Sequence, residues 1–203
     1  LLLIGFGIQD SILPIVDKQS EQLTHNDMTI VLSDEKALTM EQGLADTLDS
    51  SSAVHSWGAF YTKSTTLYNE EGGSADVSIV GAEDDARMTE YFTFRTRQGH
   101  KAIAFDDSSV ILTEKTAEKL GLSVGDSFEV ETTDGGRRSL TLTGITENYV
   151  FTRLYLSQAQ LKTLNGGALP AWNAVYGQTD CSTDTARASL SSAILACNYV
   201  SSV

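Results

Sequence analysis

The sequence is short of cysteine, proline and positive charge, and each shortage closes off a class of protein. Its two cysteines, Cys181 and Cys197, flank a segment that reads as helix. Sixteen helical residues would part them by roughly 24 Å, whereas a disulfide needs Cα atoms within about 7 Å. No disulfide framework is expected, and the cysteines say nothing of compartment. The three histidines, His25, His55 and His100, are scattered and carry no metal-ligand spacing. With two prolines and sixteen glycines the chain is neither a low-complexity array nor a disordered linker. Lys and Arg number 14 against 27 Asp and Glu, a net charge of −13. No basic stripe interleaves with aromatics, so nucleic acid is excluded as a partner, and the acidity reads as a solvated surface. No G-x-S-x-G, P-loop, H-E-x-x-H, C-x-x-C or G-x-G-x-x-G stands in a credible setting. Asp84-Asp85 and Asp106-Asp107 read as solvated turn residues. No catalytic residue, metal or cofactor is therefore expected, and the chain does not read as an enzyme.

What the chain does have is a core: 41% of its 203 residues are hydrophobic and 20% charged, ordinary for a folded protein. Residues 1–8, Leu-Leu-Leu-Ile-Gly-Phe-Gly-Ile, are apolar and uncharged. They are too short to cross a bilayer, which takes about 20 residues. Without a basic n-region or a cleavage site they fit a signal peptide poorly. They read as the outer end of a membrane-spanning helix, with a buried strand as the other reading. Ile8, Ile12, Ile15, Val16 and Leu23 then recur at helical spacing between charged residues, as in a span emerging into water, with Pro14 kinking or starting a helix.

Further along, 27–33 predicts a strand, Asp34 an N-cap, 35–49 a helix weakened at Gly43, 54–68 one or two strands and 76–81 another. Helix or helical turn is expected over 88–94. Ser109–Leu112 predicts a strand, and Thr113 caps a helix that ends at Gly121. Leu122 then folds back on the helix, Val124 enters the core, and 127–131 and 139–145 pair across the Asp134-Gly-Gly turn. A strand at 153–157, a helix at 158–164, a strand at 172–178, a helix over 183–197 capped by Asp180 or Ser182, and a strand at 199–203 complete the pattern. Ala186, Leu190, Ile194 and Leu195 form the inward face of that last helix. The class is α+β. The β-α-β units at the two ends share one sheet in a first lobe, and a mixed β insert forms a second.

"LLLIGFGIQDSI", "VILTEKTAEKLGLSVGDSFEV", "LTGITENYVFTRLYLS" and "WNAVYGQTD" together resemble the extracellular domain of large FtsX-like (MacB-like) ABC-transporter permeases of Gram-positive type, over nearly the whole chain. The resemblance implies a porter-like lobe with an inserted sabre-like, strand-rich lobe. Residues 1–8 end a transmembrane helix, 9–99 and 158–203 build the porter-like lobe, and 100–157 form the insert. It also implies a permease subunit at the cell membrane, with this domain on the extracellular side. Such a subunit works with a cytoplasmic ATP-binding subunit, is tied to the membrane by flanking helices, and hands ATP-driven motion to an extracytoplasmic protein or lipid-linked substrate without catalysis. One departure is local: Phe151-Thr-Arg-Leu-Tyr-Leu stands where relatives tend to have a His-Tyr-Ile-Tyr-Met type of run, so partner contacts there differ.

Two other readings compete. A solute- or peptide-binding module would use an inter-lobe groove lined by Trp57, Tyr61, Trp172 and Tyr176, with Tyr149 as a further partner contact. The same aromatics serve equally as core and rim packing. An adhesion domain would instead use an open sheet edge.

Overall fold

A computed structural model describes residue 19 and residues 22–203; the expectations for residues 1–8, and for Pro14 and the apolar positions up to Val16, lie outside them. The fold follows from one strand. β2 (Val54–Tyr68) is fifteen residues long, and its odd and even side chains face opposite ways into different cores. Along residues 54–60 it pairs with β9 (Ala174–Thr179), and at 67–68 with β5 (Ser127–Glu131) on that same edge. Its other edge carries β3 (Ser74–Ala82).

Beyond β9 come β1 (Met28–Leu32) and β10 (Val200–Ser202), giving the order β10-β1-β9-β2. β1 connects to β2 through a 3-10 turn at Glu35–Leu38 and α1 (Leu44–Ser50), and β9 connects to β10 through α5 (Asp184–Leu195). Each unit skips one strand, so the two are interleaved split β-α-β units. This places the strands predicted at 27–33, 172–178 and 199–203 in one sheet. Leu44 and Leu48 of α1 and Ile194 of α5 close a core with Ile30 and Val175.

Beyond β3 the same sheet continues through β8 (Arg153–Leu156), β4 (Val110–Thr113) and β7 (Gly144–Thr146), with β6 (Arg137–Thr141) hairpinned to β5. β8 runs parallel to β3, pairing Val80 with Tyr155. Leu67, Ile79, Leu112, Phe128 and Leu154 form the core there, under α3 (Glu114–Leu120) and α4 (Gln158–Leu164). Gly81 lets α4 sit down, since a Cβ there would lie 2.4 Å from Leu161 Cδ1 and 3.0 Å from the Leu156 carbonyl oxygen. The opposite face is aromatic. Phe60 stacks on Tyr176 at 4.4 Å between centroids, Phe92 packs on Tyr155 at 5.1 Å, and α2 (Asp85–Tyr91) adds Met88 and Tyr91. Each such side chain contributes about 1.5–3 kcal/mol by burial, whereas ion pairs such as Arg187–Asp184 are exposed and screened by water. The three cores hold the fold.

Several local expectations are corrected. The helix over 35–49 breaks at Gly43, where Gln42 takes a positive φ of 54° and Asp46 Oδ2 accepts its N–H. The helix near 88–94 begins and ends earlier, and Phe92–Phe94 runs extended because its aromatic rings enter the core. Thr113 sits at the start of α3 without a side-chain capping bond; its hydroxyl instead meets Thr116 Oγ1 and accepts the Arg153 N–H. The return strand divides into β6 and β7, because Leu142 turns back onto the 125–126 loop and Thr143 donates its N–H to Val110. Val124 is 59% exposed and Leu195 51%; Leu190 and Ile194 take the inward stripe of α5, and Leu195 lies about 100° around the helix. Thr183, rather than Asp180 or Ser182, caps α5 through the Ala186 N–H.

Candidate functional site

The sequence-named aromatics do not gather in one place. Trp57 and Tyr61 lie on the helix-covered face of β2: Trp57 packs on the core of α1 and α5 and donates to Asp49 Oδ1 at 2.7 Å, while Tyr61 and Trp172 pack on the other core of that face. Tyr61 lines a cleft of about 20 Å³ with Lys63, Glu131, Leu161 and Pro170, room for roughly one water. Tyr176 is buried in the aromatic core on the opposite face. Tyr149 stands elsewhere, in the loop after β7.

That loop holds the densest polar network of the described residues. Glu147, with a side chain 1% exposed, receives Arg95 Nε at 2.8 Å on Oε2 and the Tyr149 hydroxyl on Oε1, with His100 Nε2 at 3.9 Å. Burial alone would raise its carboxyl pKa; the hydrogen bonds from Tyr149 and Arg95, with the charge of Arg95, outweigh burial and hold it below the usual glutamate value. Its own N–H donates to the Arg95 carbonyl at 2.8 Å, and Thr146 Oγ1 accepts the Arg95 N–H at 3.2 Å. Next to it, Arg97 bonds Glu114, donates to the Asn148 carbonyl and lies 4.6 Å from the Tyr149 ring centroid. Asn148 is buried, and its Oδ1 accepts the Val150 and Phe151 N–H groups at 3.1 and 2.8 Å, fixing the turn that follows.

This network grips the incoming chain. Buried Gln19 accepts the Tyr149 N–H on Oε1 at 3.0 Å and donates Nε2 to Thr24 Oγ1 at 2.9 Å. Gln22 Oε1 receives Arg95 Nη2 at 2.8 Å. Buried Leu23 takes the Thr93 N–H on its carbonyl, Thr24 bridges Phe92, and His25 donates its N–H to Tyr91. Asp27 then receives the Thr179 N–H and hydroxyl, both at 2.9 Å, at the start of β1. Gln19 and residues 22–27 are thus laced across the aromatic face from the 147–149 loop to the end of β9.

Sequence reading took in Glu147-Asn148-Tyr149 as part of a segment that carries the family resemblance, and named Tyr149 as a partner contact. It missed Gln19, Arg95, Arg97 and Glu114, whose long-range partners lie 17 to 130 residues away. The one local signal was the Arg95-x-Arg97 pair after Phe92-Thr-Phe94: in an extended segment, residues two apart share a side. The cysteines are free, and Cys197 Sγ lies 3.3 Å from Thr47 Oγ1.

Interleaved split β-α-β units carrying an inserted β extension, with Gln19 and residues 22–27 fastened across one face, define an α+β domain. The chain matches the family described as MacB-like periplasmic core domain over residues 1–192, and it belongs to that family, the extracytoplasmic domain of MacB- and FtsX-like ABC-transporter permeases. Among solved structures it resembles the extracellular domain of the noncanonic ABC-type transporter YknZ from Gram-positive bacteria. The identity there is 19% at a TM-score of 0.50, over 81% of this chain and 89% of that one, a likeness of fold. The periplasmic region of MacB from Actinobacillus actinomycetemcomitans matches at 16% identity and TM-score 0.47, over 88% of this chain and 86% of that one. A domain of a permease protein from Porphyromonas gingivalis matches at 15% and 0.46, over 86% and 84%. No curated protein matches the sequence. Among the described residues no helix is long and apolar enough to cross a membrane.

Proposed function

We propose that this domain is the extracellular, non-catalytic part of a permease subunit at the cell membrane, and that it passes ATP-driven motion from a cytoplasmic ATP-binding subunit to an extracytoplasmic protein or lipid-linked substrate. The observation that carries this reading is the fastening of Gln19 and residues 22–27 onto the sheet by Gln19, Gln22 and the Arg95–Glu147 pair. Motion arriving along that segment meets two attachments rather than a flexible tether: a neutral hydrogen bond at buried Gln19 and a charge-assisted one at exposed Gln22. The segment touches Tyr149 at one end and β9 at the other, so a displacement reaches the loop after β7 and the middle of the sheet at once. In this reading residues 9–99 with 158–203 act as the porter-like lobe and 100–157 as the sabre-like one, with β2 as their common spine. The aromatic-groove alternative draws less support, since its residues divide between two faces and the cleft at Tyr61 is too small for a solute.

The test uses the full-length permease assembled with its ATP-binding subunit. Adding a non-hydrolysable ATP analogue is expected to change amide hydrogen exchange over 91–95 and 147–151 in the parent, and to leave it unchanged in Arg95→Ala. Exchange in the parent that ignores nucleotide would sink the coupling proposal.

A further inference from the structure

The turn after the network has no part in the fastening just described. Val150 is 51% exposed and Phe151 43%, although apolar residues adjacent in sequence are normally covered. Asn148 Oδ1 holds both backbone N–H groups, so the display is built and not a frayed loop. The surroundings reverse the charge of the molecule. In a chain of net charge −13, this corner carries Arg95, Arg97, Lys101, Lys115 and Arg153 against the carboxylates Glu147 and Glu114. Two of the arginines are neutralised by those two acids. Among the described residues three further cations stand here. Lys115 Nζ lies 3.4 Å from the Tyr149 carbonyl oxygen, and exposed Lys101 stands on the 96–101 turn whose His100 approaches Glu147. The Arg153 guanidinium lies 4.1 Å from the Phe151 ring centroid and 5.4 Å from that of Phe92, beside the Tyr155 hydroxyl, and its Nη1 is buried without a hydrogen-bond partner among the described residues.

An apolar pair framed by cations is the composition of an interfacial membrane anchor. An acidic protein would pair with the lysines but would not by itself call for the exposed Val-Phe pair. The incoming chain adds a second argument: Gln19, bonded to Tyr149, follows the apolar run ending at Ile8 by eleven residues, about 17 Å if helical and under about 40 Å if extended.

We propose that the 150–151 turn is a peripheral membrane contact. Val150 and Phe151 enter the acyl boundary, Lys101 and Lys115 face anionic headgroups, and Arg153, uncovered as Phe151 moves into lipid, donates Nη1 to a headgroup phosphate. The inference rests on the domain's membrane tethering and is independent of nucleotide coupling.

Flotation of the 203-residue chain with phosphatidylcholine vesicles and with vesicles containing a third phosphatidylglycerol tests it. The apolar N-terminal run binds both alike, so the informative quantity is the gain on adding anionic lipid. Each lysine at a charged surface is worth about fivefold, so Lys101→Gln/Lys115→Gln should lower that gain by about thirtyfold. Val150→Ser/Phe151→Ser should weaken binding to both vesicle types, with the melting temperature of both variants near the parent's because all four positions lie at the surface. Equal partitioning of the parent into the two vesicle types, or no change in either variant, overturns the proposal. So does competition by millimolar inorganic phosphate, which would mark a free-anion site. Loss of transporter function in cells with unchanged flotation would overturn it too, by assigning the turn to a protein partner.

Discussion

Replacing Gly121 by valine isolates one physical term. Gly121 ends α3 at φ 65° and ψ 27°, with the Leu122 N–H donating to the Ala117 carbonyl at 2.9 Å, the reversal that sends Leu122 back onto the core. A Cβ built at this position meets nothing within 4 Å, so a side chain clashes with no neighbour. The whole cost lies in the backbone. A left-handed conformation costs an L-residue about 1–2 kcal/mol, with a β-branched side chain at the upper end. For a domain of this size each kcal/mol moves the melting temperature by about 2–4 °C, so Gly121→Val should melt about 2–8 °C lower. Gly121→Asn, whose side chain tolerates this region, should lose less than half as much, with Gly121→Ala between them. Thermal melts followed by circular dichroism at matched concentration measure the series. A valine variant that melts like the parent refutes the strain argument, and if it also abolishes transport in cells the turn is a contact surface. A loss several times larger, or an asparagine variant no better than valine, would show that packing, not backbone strain, sets the cost.

Glu147 predicts an acid limit. Its carboxyl pKa is lowered in the folded state, so its stabilisation is complete above the unfolded glutamate range near about 4.3 and is lost as pH falls through the lower folded value. Tyr149→Phe removes the hydroxyl donated to Oε1; acid unfolding should then begin at higher pH, with about 1–3 kcal/mol lost near neutrality, and an acid-titration midpoint that fails to rise would remove Tyr149 from the network. Leu161→Ala empties a fully buried position against Gly81 and should cost about 2–5 kcal/mol in urea melts; a cost under about 1 kcal/mol would mean that α4 collapses onto the sheet.

Local rules were enough to place most elements. Gly121 as a left-handed cap, the Asp134-Gly-Gly hairpin and the helix over 158–164 each depend on residues within a few positions of one another, so the sequence carries them openly. The sharing of one sheet by the strands at 27–33, 172–178 and 199–203 was legible too, because their matching β-α-β patterns need one core; their interleaving was not. Where two local preferences competed, packing decided: Thr113 gave up capping for Thr116 and the Arg153 N–H, Phe92–Phe94 left the helix for the aromatic core, and Leu195 yielded the inward stripe of α5 to Ile194. The candidate site was the least legible. Residue types at Gln19, Arg95, Glu147 and Tyr149 mark nothing alone, and their meaning comes from contacts up to 130 residues apart in sequence. Likewise the aromatics Trp57 and Tyr176 look equivalent in sequence, but β2 and β9 send them to opposite faces of the sheet. The sequence by itself determined most of the elements, the α+β class and the family; tertiary structure alone decided which side of the sheet each side chain met, because strand pairing joins residues that no local periodicity connects.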